Sequence, residues 1–300
     1  MPYRHAPWFV GALLLVIAAG FGSSYFRAAG PLPLAFHLHA ISVIAWLALL
    51  IGQHIAVGRR AHVLHSILGR ASFGLFPVLI AGFAMGIDIV AGVEPTMPAP
   101  GPAAGLGMAA AIPAHLTLFY LALKHRRNIM LHAGYMLAAP LILFVSLCGE
   151  VIAQVTPWLT VIGGEGPRDA LDMMLATGGL AMLFALGLCA ANRKYAAPWL
   201  VGAGFIGLQT AVMWAAPKVP ALGQAVAAPG SVPSAVTGAL GAAAGAAAAW
   251  FGWRAGKLSP RALAVRVRAP RAAPPSAPAY PLPVAGRSVR SLPTHRSPRA

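Results

Sequence analysis

The chemistry open to this chain rests first on its histidines. Ten are present, and most sit on or within long apolar segments, where ionisable groups are costly and mark functional sites. His54, His62, His65, His125 and His132 fall near one boundary of those segments, His37 and His39 lie toward the far end of the second, and His115 is near the middle of the fourth. Neutral imidazole ligates haem iron, zinc and copper, so histidines that face one another from neighbouring helices are what a cofactor inside a bundle requires. His39 and His54 are 15 residues apart, about 22 Å along a helix and about 60° in rotation, so both can face one core at two depths. His132 can oppose His54. For His39 only His115 is at hand, and counting from the shared boundary leaves those two about 12 Å apart in depth. The spacing therefore predicts one site near that boundary. Its ligands are His54 and His132, with His65 and His125 as substitutes, and it binds haem b or a metal ion in an electron-transfer role. One rival reading puts the boundary histidines at the headgroup level, bonded to lipid phosphate, water or backbone carbonyls. Another makes them a proton relay.

A second constellation is carboxylate-based. Glu150 lies inside the fifth apolar segment with Gln154 one helical turn away, and the pair could line a polar cavity with Gln209 and Thr210 of the seventh, as in a small-solute or proton-coupled permease. Asp88 sits closer to a boundary and reads as hydrated. Gly202-Ala-Gly204-Phe-Ile-Gly207 matches the dinucleotide fingerprint, but it falls within the seventh apolar segment, without the preceding strand or the following acid that the fingerprint needs. Helix packing is the reading for these glycines and for the G-x-x-x-G pairs Gly82 with Gly86 and Gly241 with Gly245. No hydrolase triad, His-Glu-x-x-His pattern or kinase signature is present, so nothing here marks an enzyme. Cys148 and Cys189 form no C-x-x-C motif, which removes a thiolate metal site from consideration.

The elements that must position these residues are membrane-spanning helices. The composition is 58% hydrophobic and 9% charged, against roughly 45–50% and 25% in soluble domains. Apolar stretches of about 20 residues recur along the chain, the length that crosses a hydrocarbon core. They predict an all-α, polytopic bundle of seven or eight spans over residues 1–256, at about Trp8–Tyr25, Pro33–Val57, Ala71–Ala91, Leu106–Leu123, Ala133–Gln154, Met173–Ala191, Pro198–Ala216 and Ser234–Trp253. The last is the least secure, its Ala and Gly content making it only mildly hydrophobic. With the N-terminus inside, 19 of the 22 Lys and Arg fall on the cytoplasmic side, leaving Arg27, Arg168 and Lys218 outside. This bias predicts an inner-membrane protein with both termini cytoplasmic. Reading the first segment as a signal peptide, with Arg4 as its basic flank, leaves the downstream alternation unchanged.

Residues 257–300 are rich in Pro, Ala, Ser and Arg and almost free of acid, a composition that cannot offset its own ordering entropy and predicts disorder. Much of the net charge of +16 resides there. Its partners are expected to be anionic lipid headgroups rather than nucleic acid, since no aromatic interleaving or folded reading element accompanies the arginines.

Two segments together carry a resemblance. His39 to Trp46 and Gln53, then His65-Ser-Ile-Leu-Gly69-Arg70, followed by His125-Arg-Arg-Asn-Ile-Met130-Leu-His132, resemble a family of bacterial multi-pass membrane proteins of unknown function. In that family a span with His and Gln leads to a loop reading His-Arg-x-x-Gly-Arg, and a later loop reads His-Arg-x-x-Met. The likeness covers about residues 34–150. Here Ser66 stands where arginine is usual, and Asn128 and Ile129 stand where aromatics are common. In its distribution of histidines the family distantly resembles b-type membrane cytochromes, in which one helix offers a ligand near each surface. The resemblance implies a haem-binding electron carrier. A permease and a membrane scaffold with a lipid-binding tail remain as alternatives.

Overall fold

A computed structural model describes residues 3–24, 32–90, 101–155, 168–227 and 232–257. Every regular element among them is helical: α1 (Ala6–Ser24), α2 (Leu34–Gly58), α3 (His62–Val90), α4 (Pro102–Lys124), α5 (Ile129–Val155), α6 (Arg168–Ala191), α7 (Ala197–Ala215), α8 (Pro220–Ala227) and α9 (Ser234–Lys257), with a single 3₁₀ turn at Arg193–Tyr195. The compact unit is Met1–Leu258, and the basic segment beyond it lies outside the described residues.

Among the described residues six helices are long and apolar enough to cross a membrane: Leu34–Gly58, His62–Ile87, Pro102–Lys124, Leu171–Ala191, Ala197–Ala215 and Ser234–Lys257. The apolar stretches Ala6–Ala19 of α1 and Ile129–Val145 of α5 fall short of that length. An all-helical answer is what lipid demands, because a helix satisfies its backbone hydrogen bonds within one segment. The outward faces agree: Leu15, Leu183 and Leu240 are each at least 66% exposed, as side chains that meet acyl chains would be. The chain is thus a multi-pass helical membrane protein in contact with lipid.

The element boundaries differ from the expected spans at two places. α3 begins at His62 rather than Ala71, so His65 to Arg70 form helical turns instead of a loop. Leu68 packs toward Gly52 of α2 there while Val63, Leu64 and Ile67 stay exposed, and no proline stops the helix. The short helix α8 was not anticipated. It follows α7 and packs against α4.

α4 is the central strut, touching α3, α5, α7 and α9. One apolar cluster joins α1, α2, α3 and α4 through Val43, Leu47, Leu79 and Phe119. The other joins α4, α5, α6 and α7 through Leu118, Ala138, Ile142 and Ile206. Between α5 and α6, the buried Thr177 hydroxyl donates to Val145 O at 2.8 Å. The basic residues gather at one end of the bundle. Arg126 of the α4–α5 connection donates to Trp253 O on α9 at 2.9 Å and lies 4.0 Å over the Trp253 ring. We refer to this as the basic end.

The Ala- and Gly-rich span makes a close approach. Gly238, Gly241, Gly245, Gly252 and Gly256 line one face of α9 and are all buried. A Cβ at Gly241 would stand 2.8 Å from Ile80 O, one at Gly245 2.8 Å from Pro77 Cα, and one at Gly252 2.8 Å from Tyr120 O. α9 therefore lies backbone to backbone in the groove between α3 and α4, the contact that small residues permit in lipid. Gly202 and Gly207 of the apparent dinucleotide fingerprint likewise face Ala138 and Met182, inside α7.

Candidate functional site

α2 presents His39, Trp46 and Gln53 at seven-residue intervals, a spacing that returns to nearly the same helical face. α3 and α4 close on that face. At the end away from the basic cluster, His39 of α2 and His115 of α4 both pack against Phe83 of α3, with ring centroids 5.1 Å and 4.9 Å from it. The approach of α2 to α3 beside this ring depends on Gly82, where a Cβ would stand 2.9 Å from His39 Cα. His115 is wholly buried. Its Nδ1 donates to Ala111 O at 2.8 Å, which fixes the tautomer and leaves Nε2 as the lone-pair nitrogen. His115 Nε2 and His39 Nδ1 are both buried without a hydrogen-bond partner.

Below this pair lies a dry aromatic layer. Phe76 of α3 stacks on Phe119 of α4 at 4.0 Å, and Trp46 closes on both at 5.4 Å and 5.5 Å. Trp46 Nε1 is buried and unpartnered.

At the basic end stand two further histidines, His132 of α5 and His65 of α3. His132 of α5 donates from Nδ1 to Ala122 O of α4 at 2.9 Å, the same orienting bond that His115 makes. His65 Nδ1 is buried without a partner, as is Gln53 Oε1, and Gln53 Nε2 would stand 3.6 Å from a Cβ at Gly69. Ala122 is seven residues beyond His115 on α4, about 10 Å along that helix, whereas Gln53 is 14 residues beyond His39 on α2, about 21 Å.

Among the described residues six buried side-chain nitrogen or oxygen atoms lack a partner, and five of them belong to this column: His39, Trp46, Gln53, His65 and His115. The sixth is Gln209. An unsatisfied buried polar atom costs about 1–3 kcal/mol, which makes this column the place where a bound group would be offset best.

Of the residues expected to form the site, His65 and His132 both stand at the basic end, on α3 and α5. His54 turns instead toward the backbone of Arg4, and no described contact joins it to His132. His125 stacks on Tyr135 at 5.7 Å and 23°, and burial, aided by the Lys124 charge, holds its pKa below the ordinary histidine value. No cluster of three or more His, Cys, Asp or Glu suited to a metal ion occurs among the described residues. The side chains of Glu150, Gln154 and Asp88 lie outside the described residues. Gln209 is buried in α7, and the Thr210 hydroxyl donates to Ile206 O at 2.8 Å and rests against Gly178. Cys148 and Cys189 are free and buried.

The pairing of His39 with His115 escaped the reading from spacing, because depth counting assumes rings that meet directly. Here Phe83 reaches between them. The available signal was the stripe of His39, Trp46 and Gln53 at intervals of seven. No known protein family, curated protein or solved structure matches this chain.

Proposed function

We propose that this chain is an eight-span electron carrier of the bacterial inner membrane that binds haem b at two levels, His39 with His115 and His65 with His132. The observation that supports this reading is the column of unpartnered buried atoms, in which three of the four histidines expose a ring nitrogen with nothing to bond. The donors are of the right type, and at the first level the Phe83 ring, which stands between His39 and His115, would have to move aside for the group. Each level offers two imidazoles from different helices, and backbone carbonyls hold His115 and His132 by Nδ1, the arrangement that orients imidazole toward a metal. Relative to the expectation from spacing, His132 and His65 stay in the ligand set, His54 and His125 leave it, and His39 and His115 enter it.

Bound haem would supply a one-electron couple at each level. The chain's own residues do the rest. Ala111 and Ala122 fix ring orientation through their carbonyls, while Trp46, Phe76 and Phe119 exclude water between the levels. That packed layer favours electrons over protons, because Phe76 and Phe119 stacked at 4.0 Å interrupt any run of groups able to pass a proton. A reduced-minus-oxidised visible spectrum of detergent-purified protein from haem-replete cells, with metal analysis of the same sample, is expected to show about two haem equivalents. A colourless, metal-free protein overturns the proposal.

In the proposed topology α1 and α5 join the six longer apolar helices as spans, and the basic end faces the cytoplasm, as positive loops do. The tail after Lys257 then meets anionic headgroups of the inner leaflet. A reporter active only in the cytoplasm, fused after Lys257, is expected to be active, and one active only outside to be silent. The reverse pattern rejects this orientation.

A further inference from the structure

We infer that the chain carries a specific site for an anionic phospholipid, separate from the histidine column, with one acyl chain lying between α1, α5 and α6 and the phosphate on Arg4 and His5. A cavity of about 590 Å³ opens there on the outer flank of the bundle. Leu137, Leu141 and Phe144 of α5 line it on one side, α1 and α6 flank it, and the exposed rings of Phe9 and Phe184 meet at 5.8 Å.

Shape and charge select the occupant. The lining of α1 runs from His5 to Val16, eleven residues or about 16 Å, which is close to one leaflet of a hydrocarbon core about 30 Å thick. The slot is apolar along that length, and its polar lining is confined to one end, where Tyr3, Arg4 and His5 stand. Arg4 and His5 are exposed. Leu188 and Trp199 also line the cavity and flank the connection that holds Arg193 and Lys194, so the charge around the mouth is positive. A single-leaflet hydrocarbon slot ending in cations fits an acyl chain under a negatively charged headgroup. An isoprenoid quinone would supply the tail but no anion.

The test is native mass spectrometry of the full chain released from nanodiscs of phosphatidylglycerol or of phosphatidylcholine. Wild type is expected to retain one phosphatidylglycerol, at about fivefold or more over phosphatidylcholine, as one basic contact gives. Arg4→Glu changes only an exposed side chain and is expected to erase that preference. Leu141→Trp, which fills the slot, is expected to remove both adducts while the protein stays monodisperse. Equal retention of the two lipids, a preference that survives Arg4→Glu, or capture of a quinone in place of lipid from native membranes each overturns the assignment. Neither haem content nor the histidine variants enter this test.

Discussion

Replacing Gly245 by leucine is expected to undock α9 and lower stability on the order of 3 kcal/mol or more. The position faces backbone, not a side chain that can rotate away: a Cβ at Gly245 would stand 2.8 Å from Pro77 Cα and 3.3 Å from Pro77 N. Overpacking a close-packed site by a methylene or two costs about 1–3 kcal/mol. Leucine adds four carbons between two helix backbones. Gly241, one turn earlier and 2.8 Å from Ile80 O by the same measure, prevents α9 from sliding to make room. Leu240, 66% exposed on the opposite face, provides the control. Leu240→Ala is expected to change stability by no more than about 0.5 kcal/mol, as surface substitutions do. The buried free thiols Cys148 and Cys189 serve as reporters, since a thiol-reactive dye labels them only as the bundle opens on heating. A Gly245→Leu protein that melts with the wild type would show that α9 does not pack along this stripe.

The same helix shows what was legible in the sequence. Length and apolarity located the helices within a few residues, because in lipid an apolar stretch of about 20 residues has few alternatives to a helix. Hydropathy left α9 only mildly apolar because alanine and glycine carry little apolar surface. Close approach follows from that same smallness, and the glycine stripe that achieves it was present in the letters. The start of α3 was less legible. His62 to Arg70 contain charge and histidine, which a hydropathy reading assigns to a loop, yet the apolar residues between them are spaced for a helix that continues past the membrane boundary.

The site was legible in residue type and only partly in pairing. His132 and His65 were both candidates, but His54 and His65 sit at the same boundary, and spacing along one helix says nothing about which neighbour a ring faces. Rotation carried more information than depth. His54 is about 60° from His39 around α2, whereas Trp46 and Gln53 drift only about 20° per seven residues, so Trp46 and Gln53 share the inner face and His54 turns toward Arg4. The contact of His39 with His115 runs through the length of the Phe83 side chain, a quantity that counting residues along helix axes omits.

Those pairings lead to an expected division of cofactor between the two levels. Alanine at His115 should remove one of two haem equivalents and leave the other, because the nearest orienting carbonyl of the second level, Ala122 O, lies about 10 Å further along α4. Alanine at His132 should remove the complementary equivalent. The double variant should be colourless, while His54→Ala and His125→Ala should each keep both equivalents, their rings resting against Arg4 and Tyr135 outside the column. His115→Met supplies a readout that a collapsed protein could not give. A thioether ligand in place of imidazole raises the reduction potential of haem iron, so one titration step should move upward and the other stay in place. Haem quantified per protein and a potentiometric titration of the difference spectrum decide the matter. Retention of both equivalents in His115→Ala, or loss of either in His54→Ala, would reject the two-level assignment, since the column then would not be where the cofactor binds.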